Sequence, residues 1–197
     1  MLRISGGEWR GRILRTPRGD AVRPTQERVR EALFSMLRND IAGASVLDLY
    51  SGSGAVGLEA LSRGAARATF VDCAGPHLAV LRRNAADLGA AGRCSTVLAD
   101  AARWVASAGR GSRFDFAFAD PPYALGRERR FAGLLEALAA GDVVRPGGLF
   151  AAEMQSDQSP DEAAGWTVCR DRRYGHARIA IYVRASADGE EKTEDDE

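Results

Sequence analysis

From residue 45 onward the chain alternates short runs of β-branched and aromatic residues with alanine- and leucine-rich stretches of helical length, and few architectures accept that alternation. The runs suited to strands are Val46–Tyr50, Ala68–Cys73, Ser95–Leu98, Phe114–Ala119, Leu149–Glu153, Trp166–Arg170 and Ile179–Arg184. Helical stretches near Val56–Arg63, Pro76–Leu88, Ala101–Ala108 and Arg130–Ala140 separate the first five, the last of them ended by Gly141 and then Pro146-Gly147-Gly148. Crossovers of that length join parallel strands. Only Asp171–Ala177, with Gly175 inside it, separates the sixth run from the seventh, which predicts an antiparallel hairpin closing the sheet. The expected fold is α/β, a seven-stranded, mostly parallel sheet closed by an antiparallel hairpin.

A chain of 197 residues supports one such domain with a sizeable core and a small appendage. The domain is expected over residues 25–184. Thr25 is placed to cap a helix whose apolar positions Val29, Ala32, Leu33, Met36 and Leu37 share one face. Ahead of it, Leu2–Ile4 and Arg12–Leu14 flank Gly6-Gly7-Glu8-Trp9-Arg10-Gly11, which reads as a small N-terminal β-hairpin extension over residues 1–24. The net charge of zero hides two opposed ends. Residues 1–38 carry nine arginines against four acids, whereas residues 185–197 carry seven acids against Lys192 and no apolar residue larger than alanine. Such a tail has nothing to bury and is expected to be disordered.

Arginine supplies 26 of the 27 basic residues, which suits a partner with phosphates and bases, although a coding bias toward arginine would give the same composition. Cys73, Cys94 and Cys169 lie far apart, and neither histidine stands at a ligand spacing from them, so no metal is expected. An odd, scattered cysteine count points to a reducing, cytoplasmic setting. No apolar stretch approaches the roughly 20 residues that span a bilayer, and the N-terminus lacks the apolar region of a signal peptide.

Two motifs carry chemistry. The first, Leu47-Asp48-Leu49-Tyr50-Ser51-Gly52-Ser53-Gly54-Ala55-Val56-Gly57, is a strand entering a glycine-rich turn and then a helix. Gly52-x-Gly54-x-x-Gly57 also matches the dinucleotide fingerprint, with Asp72 at the ribose-binding position, so a nicotinamide oxidoreductase competes for this reading. Against it, Tyr50-Ser51 separate the strand from the first glycine, and Asp48 near the strand end would repel a pyrophosphate. The same carboxylate would attract the ammonium of S-adenosylmethionine, which carries no phosphate. Asp48, Asp72 and Asp100, each ending a successive strand, would then face the amino-acid end, the ribose and the adenine amine. Asp100 fits equally well as the N-cap of the helix that follows.

The second motif, Asp120-Pro121-Pro122-Tyr123, lies at the carboxyl end of the fourth strand, where open α/β sheets bind ligands. An exocyclic base amine is a poor nucleophile until hydrogen-bond acceptors pyramidalise it. The Asp120 carboxylate and the Pro121 carbonyl would accept its two hydrogens and aim the lone pair at a sulfonium methyl. The prolines fix the backbone, and Tyr123 offers a ring on which an extruded base can stack. The competing reading is a proline turn with a buried tyrosine.

Gly6-Gly7-Glu8-Trp9-Arg10-Gly11-Arg12, Arg23–Phe34, Asp48–Gly54 and Asp120–Tyr123 together resemble the RsmD family of bacterial methyltransferases, and the likeness spans residues 2–184. The resemblance implies the class I, Rossmann-like methyltransferase fold, a doubly wound sheet whose last strand inserts antiparallel, with S-adenosyl-L-methionine as cofactor and transfer to the N2 amine of one guanine in small-subunit 16S ribosomal RNA. It implies cofactor contacts from Thr25, Asp48, Tyr50, Ser51, Gly52, Ser53, Gly54, Asp72 and Asp100, and catalysis by Asp120, Pro121, Pro122 and Tyr123. RNA contacts would come from Arg10, Arg12, Arg15, Arg28 and Arg127, with the first three otherwise a solvated face. Trp9 would stack on a base or pack within the hairpin. A monomer working on ribosomal RNA or a ribosomal particle is expected. An adenine-N6 or cytosine-N4 DNA methyltransferase shares the chemistry, but the chain leaves little room for the target-recognition region such an enzyme needs.

Overall fold

The computed structural model describes residues 2–17, 24–121 and 131–186. Its elements run in the order α1 (Pro24–Met36), β1 (Ser45–Leu49), α2 (Ala55–Ser62), β2 (Arg67–Asp72), α3 (Gly75–Asp87), β3 (Cys94–Leu98), α4 (Ala101–Ala106), β4 (Phe114–Ala119), α5 (Ala132–Ala140), β5 (Val144–Gln155), β6 (Trp166–Tyr174) and β7 (Ala177–Arg184). Among the described residues the strands form one sheet in the order β3-β2-β1-β4-β5-β7-β6. The first five are parallel, and β7 inserts antiparallel between β5 and β6. The order reverses beside β1, so the connections leaving β1 and β4 diverge there and leave a crevice.

Side-chain alternation divides the core between the two faces of the sheet. Val46, Ala68, Phe70, Phe116, Phe118, Ala151, Ile179 and Ile181 meet Val29, Leu33, Phe34 and Leu37, the last just past the end of α1, Leu58 and Leu61 of α2, and Leu78 and Leu81 of α3. On the opposite face Leu47, Leu49, Val71, Ala117, Phe150 and Tyr182 meet Val105 of α4 and Leu134, Leu135 and Leu138 of α5. Trp166 closes that second layer, its indole N–H donating to the Leu135 carbonyl at 2.8 Å.

Three local expectations change. The helix α1 opens at Pro24, so Thr25 falls inside its first turn and not at the cap; proline's fixed φ and missing N–H suit that first turn. β5 begins at Val144, five residues before the expected Leu149, and passes through Pro146-Gly147-Gly148 with a register shift against β4. β6 runs on to Tyr174, leaving only Gly175-His176 as the hairpin turn, with Gly175 at φ 59°. The tail beyond residue 186 lies outside the described residues.

The N-terminal arm forms a single antiparallel bridge, Arg3 to Ile13, where two short strands were expected. It is nonetheless tied to the core. Leu2, Ile4, Trp9 and Leu14 are buried in the α1–α3 layer. The Gly6-Gly7-Glu8-Trp9 segment lies on the carboxyl end of α2: Glu8 N donates to the Ser62 carbonyl at 2.7 Å, Trp9 N to Ser62 Oγ at 2.9 Å, and Ser62 Oγ to the Gly6 carbonyl at 2.7 Å. Gly7 has φ 79°, and a Cβ there would stand 1.9 Å from the Ser62 carbonyl oxygen, so no other residue fits.

Glu59 of α2 is fully buried and gathers these pieces. Its carboxylate accepts from Ser5 N at 2.8 Å, Ser5 Oγ at 2.6 Å, Arg30 Nε at 3.1 Å and Arg63 Nη2 at 2.8 Å. Arg30, itself 5% exposed, also donates through Nη2 to the Arg3 carbonyl. Removing one partner from such a network leaves an uncompensated buried charge, which costs about 3–5 kcal/mol. Glu59→Ala is expected to lower unfolding free energy by about that amount in urea titrations, and Arg30→Met in the Glu59→Ala background to recover part of the loss. Additive losses in the two variants would mean that the ion pair is not coupled.

Candidate active site

A cavity of about 490 Å³ opens at the carboxyl ends of β1, β2, β4 and β5. Strand alternation decides what enters it. Asp48 shares a face with Val46, Asp72 with Phe70, Asp120 with Phe118 and Glu153 with Ala151, so four carboxylates on four strands project from the α1–α3 side of the sheet. Asp100, after β3, also lines the cavity. Val29, Arg30 and Leu33 of α1 form its roof, and Phe118 and Ile179 its apolar wall.

The first motif behaves as a backbone device as much as a ligand shell. Tyr50 adopts φ 59°, a left-handed conformation that costs a bulky residue of order 1–3 kcal/mol and that recurs at functional sites. Its neighbour Ser51 is held to β2 by a bond from its N–H to the Val71 carbonyl at 3.2 Å, and Gly54 N closes the turn on the Ser51 carbonyl at 2.7 Å. Asp48, 2% exposed, accepts from Gly57 N at 2.9 Å through Oδ2, so this carboxylate caps the first turn of α2 from below. Asp72 accepts from Gly52 N at 2.8 Å through Oδ2 and from Ala74 N at 2.8 Å through Oδ1, holding the loop against the end of β2. His77 Nδ1 stands 3.3 Å from Asp72 Oδ1.

Tyr50, Ser51, Gly52, Asp48, Asp72, Asp100 and Asp120 of the expected site all line the one cavity. Ser53 and Gly54 do not: the Ser53 carbonyl accepts from Asn84 Nδ2 at 3.1 Å, and a Cβ on Gly54 would press within 2.7 Å of Leu81. These positions join α2 to α3. Asp100 is the N-cap of α4, accepting from Arg103 N at 2.9 Å, and still borders the cavity. Pro121 is buried at the tip of β4. Pro122, Tyr123 and Arg127 lie outside the described residues, as does the Thr25 side chain.

Of the arginines expected to contact RNA, Arg10, Arg12, Arg15 and Arg28 are exposed. Arg12 Nη2 donates to the Asp87 carbonyl at 2.6 Å and Arg15 Nε to the Asp87 carboxylate at 3.0 Å, so two of them also fasten the arm to the end of α3. Trp9 is 7% exposed with the Arg93 guanidinium 5.0 Å from its ring centre, which places it in the packing and not on a base.

Sequence reasoning missed Glu153 and His77. For Glu153 a signal existed: counting by twos along β5 from Ala151 puts it on the face that carries Asp48 and Asp72, but this requires knowing the sheet's pairing. His77 is brought to Asp72 by the first turn of α3, which Pro76 near its start made foreseeable.

The charge of the cavity separates the two cofactor classes. Asp48, Asp72, Asp100, Asp120 and Glu153 line it, against Arg30, whose guanidinium is already bonded to Glu59. With Gly57 N already bonded to the Asp48 side chain, the helix start holds a carboxylate where a dinucleotide site would hold pyrophosphate. A cationic ligand fits. A Cβ on Gly52 would meet nothing within 4 Å, and among the described residues Ser51 Oγ is buried without a hydrogen-bond partner, so the loop offers both room and an unused polar group.

Comparison with known proteins agrees with this geometry. The chain is 36% identical over 189 residues to ribosomal RNA small subunit methyltransferase D of Escherichia coli K12, covering 96% of this chain and 92% of that one. The enzyme of the same name from Haemophilus influenzae is 29% identical over 186 residues, covering 92% of this chain and 93% of that one. Among solved structures, an E. coli putative methyltransferase superposes with a TM-score of 0.81 at 33% identity, covering 94% of this chain and 98% of the other. A protein from Thermus thermophilus superposes with a TM-score of 0.74 at 30% identity, covering 95% and 100%. The family model described as conserved hypothetical protein 95 matches residues 2–183, from the arm through the glycine loop to the closing hairpin. Because the match runs through the N-terminal arm as well as the sheet, the chain belongs to the RsmD family of methyltransferases.

Proposed function

We propose that the chain transfers the methyl group of S-adenosylmethionine to the N2 amine of one guanine in small-subunit 16S ribosomal RNA, acting in the cytoplasm on the RNA or a ribosomal particle. The observation that carries this reading is a cavity bordered by carboxylates from four strands, with Asp120-Pro121 at the tip of one of them. When bound, the cofactor supplies a methyl group on a sulfonium, and the N–C bond forms as the S–C bond breaks. Asp72 and the Tyr50–Gly52 loop would hold the ribose and amino-acid ends, while Asp120 and the Pro121 carbonyl accept the amine hydrogens and orient its lone pair. The proton leaves after transfer, to Asp120 or to water.

The exposed arginines of the arm and of α1 would receive the RNA backbone. The Arg15–Asp87 pair is half or more exposed on both sides, and such pairs contribute about 0–1 kcal/mol, so phosphate can replace Asp87 at little cost.

The acids also set a pH dependence. Burial, with smaller contributions from the Asp72 and Asp120 charges, pushes the Asp48 carboxyl up to about 8 against the opposing Gly57 hydrogen bond. An unfolded aspartate titrates near about 4. Since the folded value is the higher one, the contribution of this group to stability is fully present below about pH 4 and is lost as pH rises toward 8 in the ligand-free protein. A cationic ligand draws Asp48 back to its ionised form and must release protons on binding.

Three outcomes are expected. Calorimetry should detect S-adenosylmethionine and not NAD, and Asp120→Ala should keep that binding while losing methyl transfer by about 10²–10³-fold or more. Mass spectrometry of small-subunit RNA from a deletion strain should lack one N2-methylguanine, and persistence of all of them would defeat the proposal. Between pH 5 and 8 the ligand-free melting temperature of Asp48→Asn should gain on that of the wild type; a constant difference would mean that Asp48 is ionised in the fold throughout.

A further inference from the structure

Glu153 has no part in the chemistry assigned so far, yet its position is unusual. It projects from β5 beside the tip of β4, since Ala119 pairs with Ala152 and the next positions along the two strands are Asp120 and Glu153. It pairs across with Ile179 of β7 and borders the cavity together with Phe118 and Ile179. Glu153 is half-buried, and withdrawing a carboxylate from water in such surroundings is costly unless donors reach it. Among the described residues its carboxylate makes no hydrogen bond or ion pair, although its oxygens retain access to the cavity. Burial, and then the Asp120 charge, push its carboxyl up to about 8. Two acids are therefore held side by side facing one space, and the second lacks a donor that the protein could have provided.

A base whose exocyclic amine sits on Asp120 supplies that donor only if it is guanine. Guanine carries N1–H directly beside its N2 amine. Adenine places a lone pair at N1 beside the N6 amine, and cytosine a lone pair at N3 beside the N4 amine. Neighbouring strands lie about 4.8 Å apart, a spacing that sets two acceptors along one Watson–Crick edge. We infer that Glu153 is the residue that selects guanine, its carboxylate accepting the N1–H of the base whose N2 amine is held by Asp120. Against ionised Glu153, adenine or cytosine in the same pose would set a lone pair against a carboxylate oxygen and leave both unpaired; a protonated Glu153 could donate to that lone pair, so the selection belongs to the ionised form. With guanine, each of the two neighbouring acids faces an N–H, which lets both remain ionised despite their proximity. This assignment rests on the guanine-N2 reading of the site.

The test uses the full chain and small-subunit particles whose target guanine is either retained or replaced by 2-aminopurine, which keeps the amine but has a lone pair at N1. Methyl incorporation is measured for wild type, Glu153→Gln and Glu153→Ala, with cofactor affinity by calorimetry and melting temperature as controls for folding. At about pH 8.5, where the ionised form of Glu153 prevails, wild type should prefer guanine by about 10³-fold or more in kcat/KM, as sites built around one substrate hydrogen do, and the preference should narrow as pH falls and the acid gains a proton. In Glu153→Gln the amide can donate to the N1 lone pair, so guanine should fall and 2-aminopurine rise until the two differ by no more than about tenfold. Glu153→Ala should lose the preference by slowing guanine alone. An unchanged guanine preference in either variant, or an equal loss on both bases, would overturn the inference. A wild-type enzyme that methylates no guanine amine in the particle would instead overturn the functional reading beneath it.

Discussion

The architecture of the site depends on where the protein puts one buried negative charge. Glu59 sits in α2 on the layer that carries the cavity, with no exposure to solvent, and its carboxylate is satisfied by the arm, by α1 and by Arg63 at the end of its own helix. Each of those donors belongs to a segment that has no strand pairing of its own with the sheet. An isolated charge in that layer would cost several kcal/mol, so the three docked segments stabilise the fold through one shared carboxylate. The consequence reaches the cavity directly, because Arg30 is at once the partner of Glu59 and part of the cavity roof, with Val29 and Leu33 on the same helix. Docking the arm and roofing the site are one event, not two.

Below that roof the charges are arranged by the pleat. A parallel strand projects alternate residues to one side, and the four strands whose tips border the cavity each end with an acid on that side. Two of those acids serve the backbone: Asp48 caps α2 through Gly57 and Asp72 pins the loop through Gly52 and Ala74. The bonds hold their carboxylates in fixed directions, so the polar lining of the cavity is set in place before any ligand arrives, and a cation entering it meets little reorganisation. The left-handed Tyr50 is the local strain that this arrangement carries. It turns the loop toward the cavity between two aspartates, where a relaxed backbone would continue along β1.

Much of this is legible in the sequence, and the exceptions share a cause. The strand–helix alternation locates the elements and the glycine loop, because period and turn chemistry are local properties. Pro146-Gly147-Gly148 reads as the end of a helix connection, whereas in the structure β5 runs through it: Gly147 takes φ 70°, and Gly148 lies so close to Val144 that a Cβ would approach its Cγ1 to 2.7 Å. The strand continues past these breakers because Val144 before them and Leu149 after them both pair with β4, while pairing to β7 begins at Leu149. Glu59 gives no signal, since a glutamate in a short amphipathic helix ordinarily faces water, and only the arrival of Ser5 and Arg30 makes its burial tolerable. The resemblance makes the arm an RNA-contacting element, with Trp9 favoured for the hairpin's own packing over a base. The partners of Gly6 and Trp9 are in fact Ser62 and Arg93, more than fifty residues away in the chain.

That last distinction bears on how basic residues are divided in this chain. Some arginines serve the fold through carboxylate partners inside it, among them Arg30 and Arg63 on Glu59, Arg178 on Asp171 and Arg184 on Asp142. These pairs are partly or wholly withdrawn from water, where an exchange of partner would be costly. Arg10 and Arg28 are exposed, and Arg15 meets Asp87 at the surface, where exchange costs little. A single composition bias toward arginine thus contains two populations distinguished by solvent. The arm is fastened chiefly by its apolar side chains and by Ser62, with Arg12 and Arg15 adding surface contacts to Asp87, so Arg12 and Arg15 serve both roles while Arg10 can present its charge to a polyanion without loosening the arm.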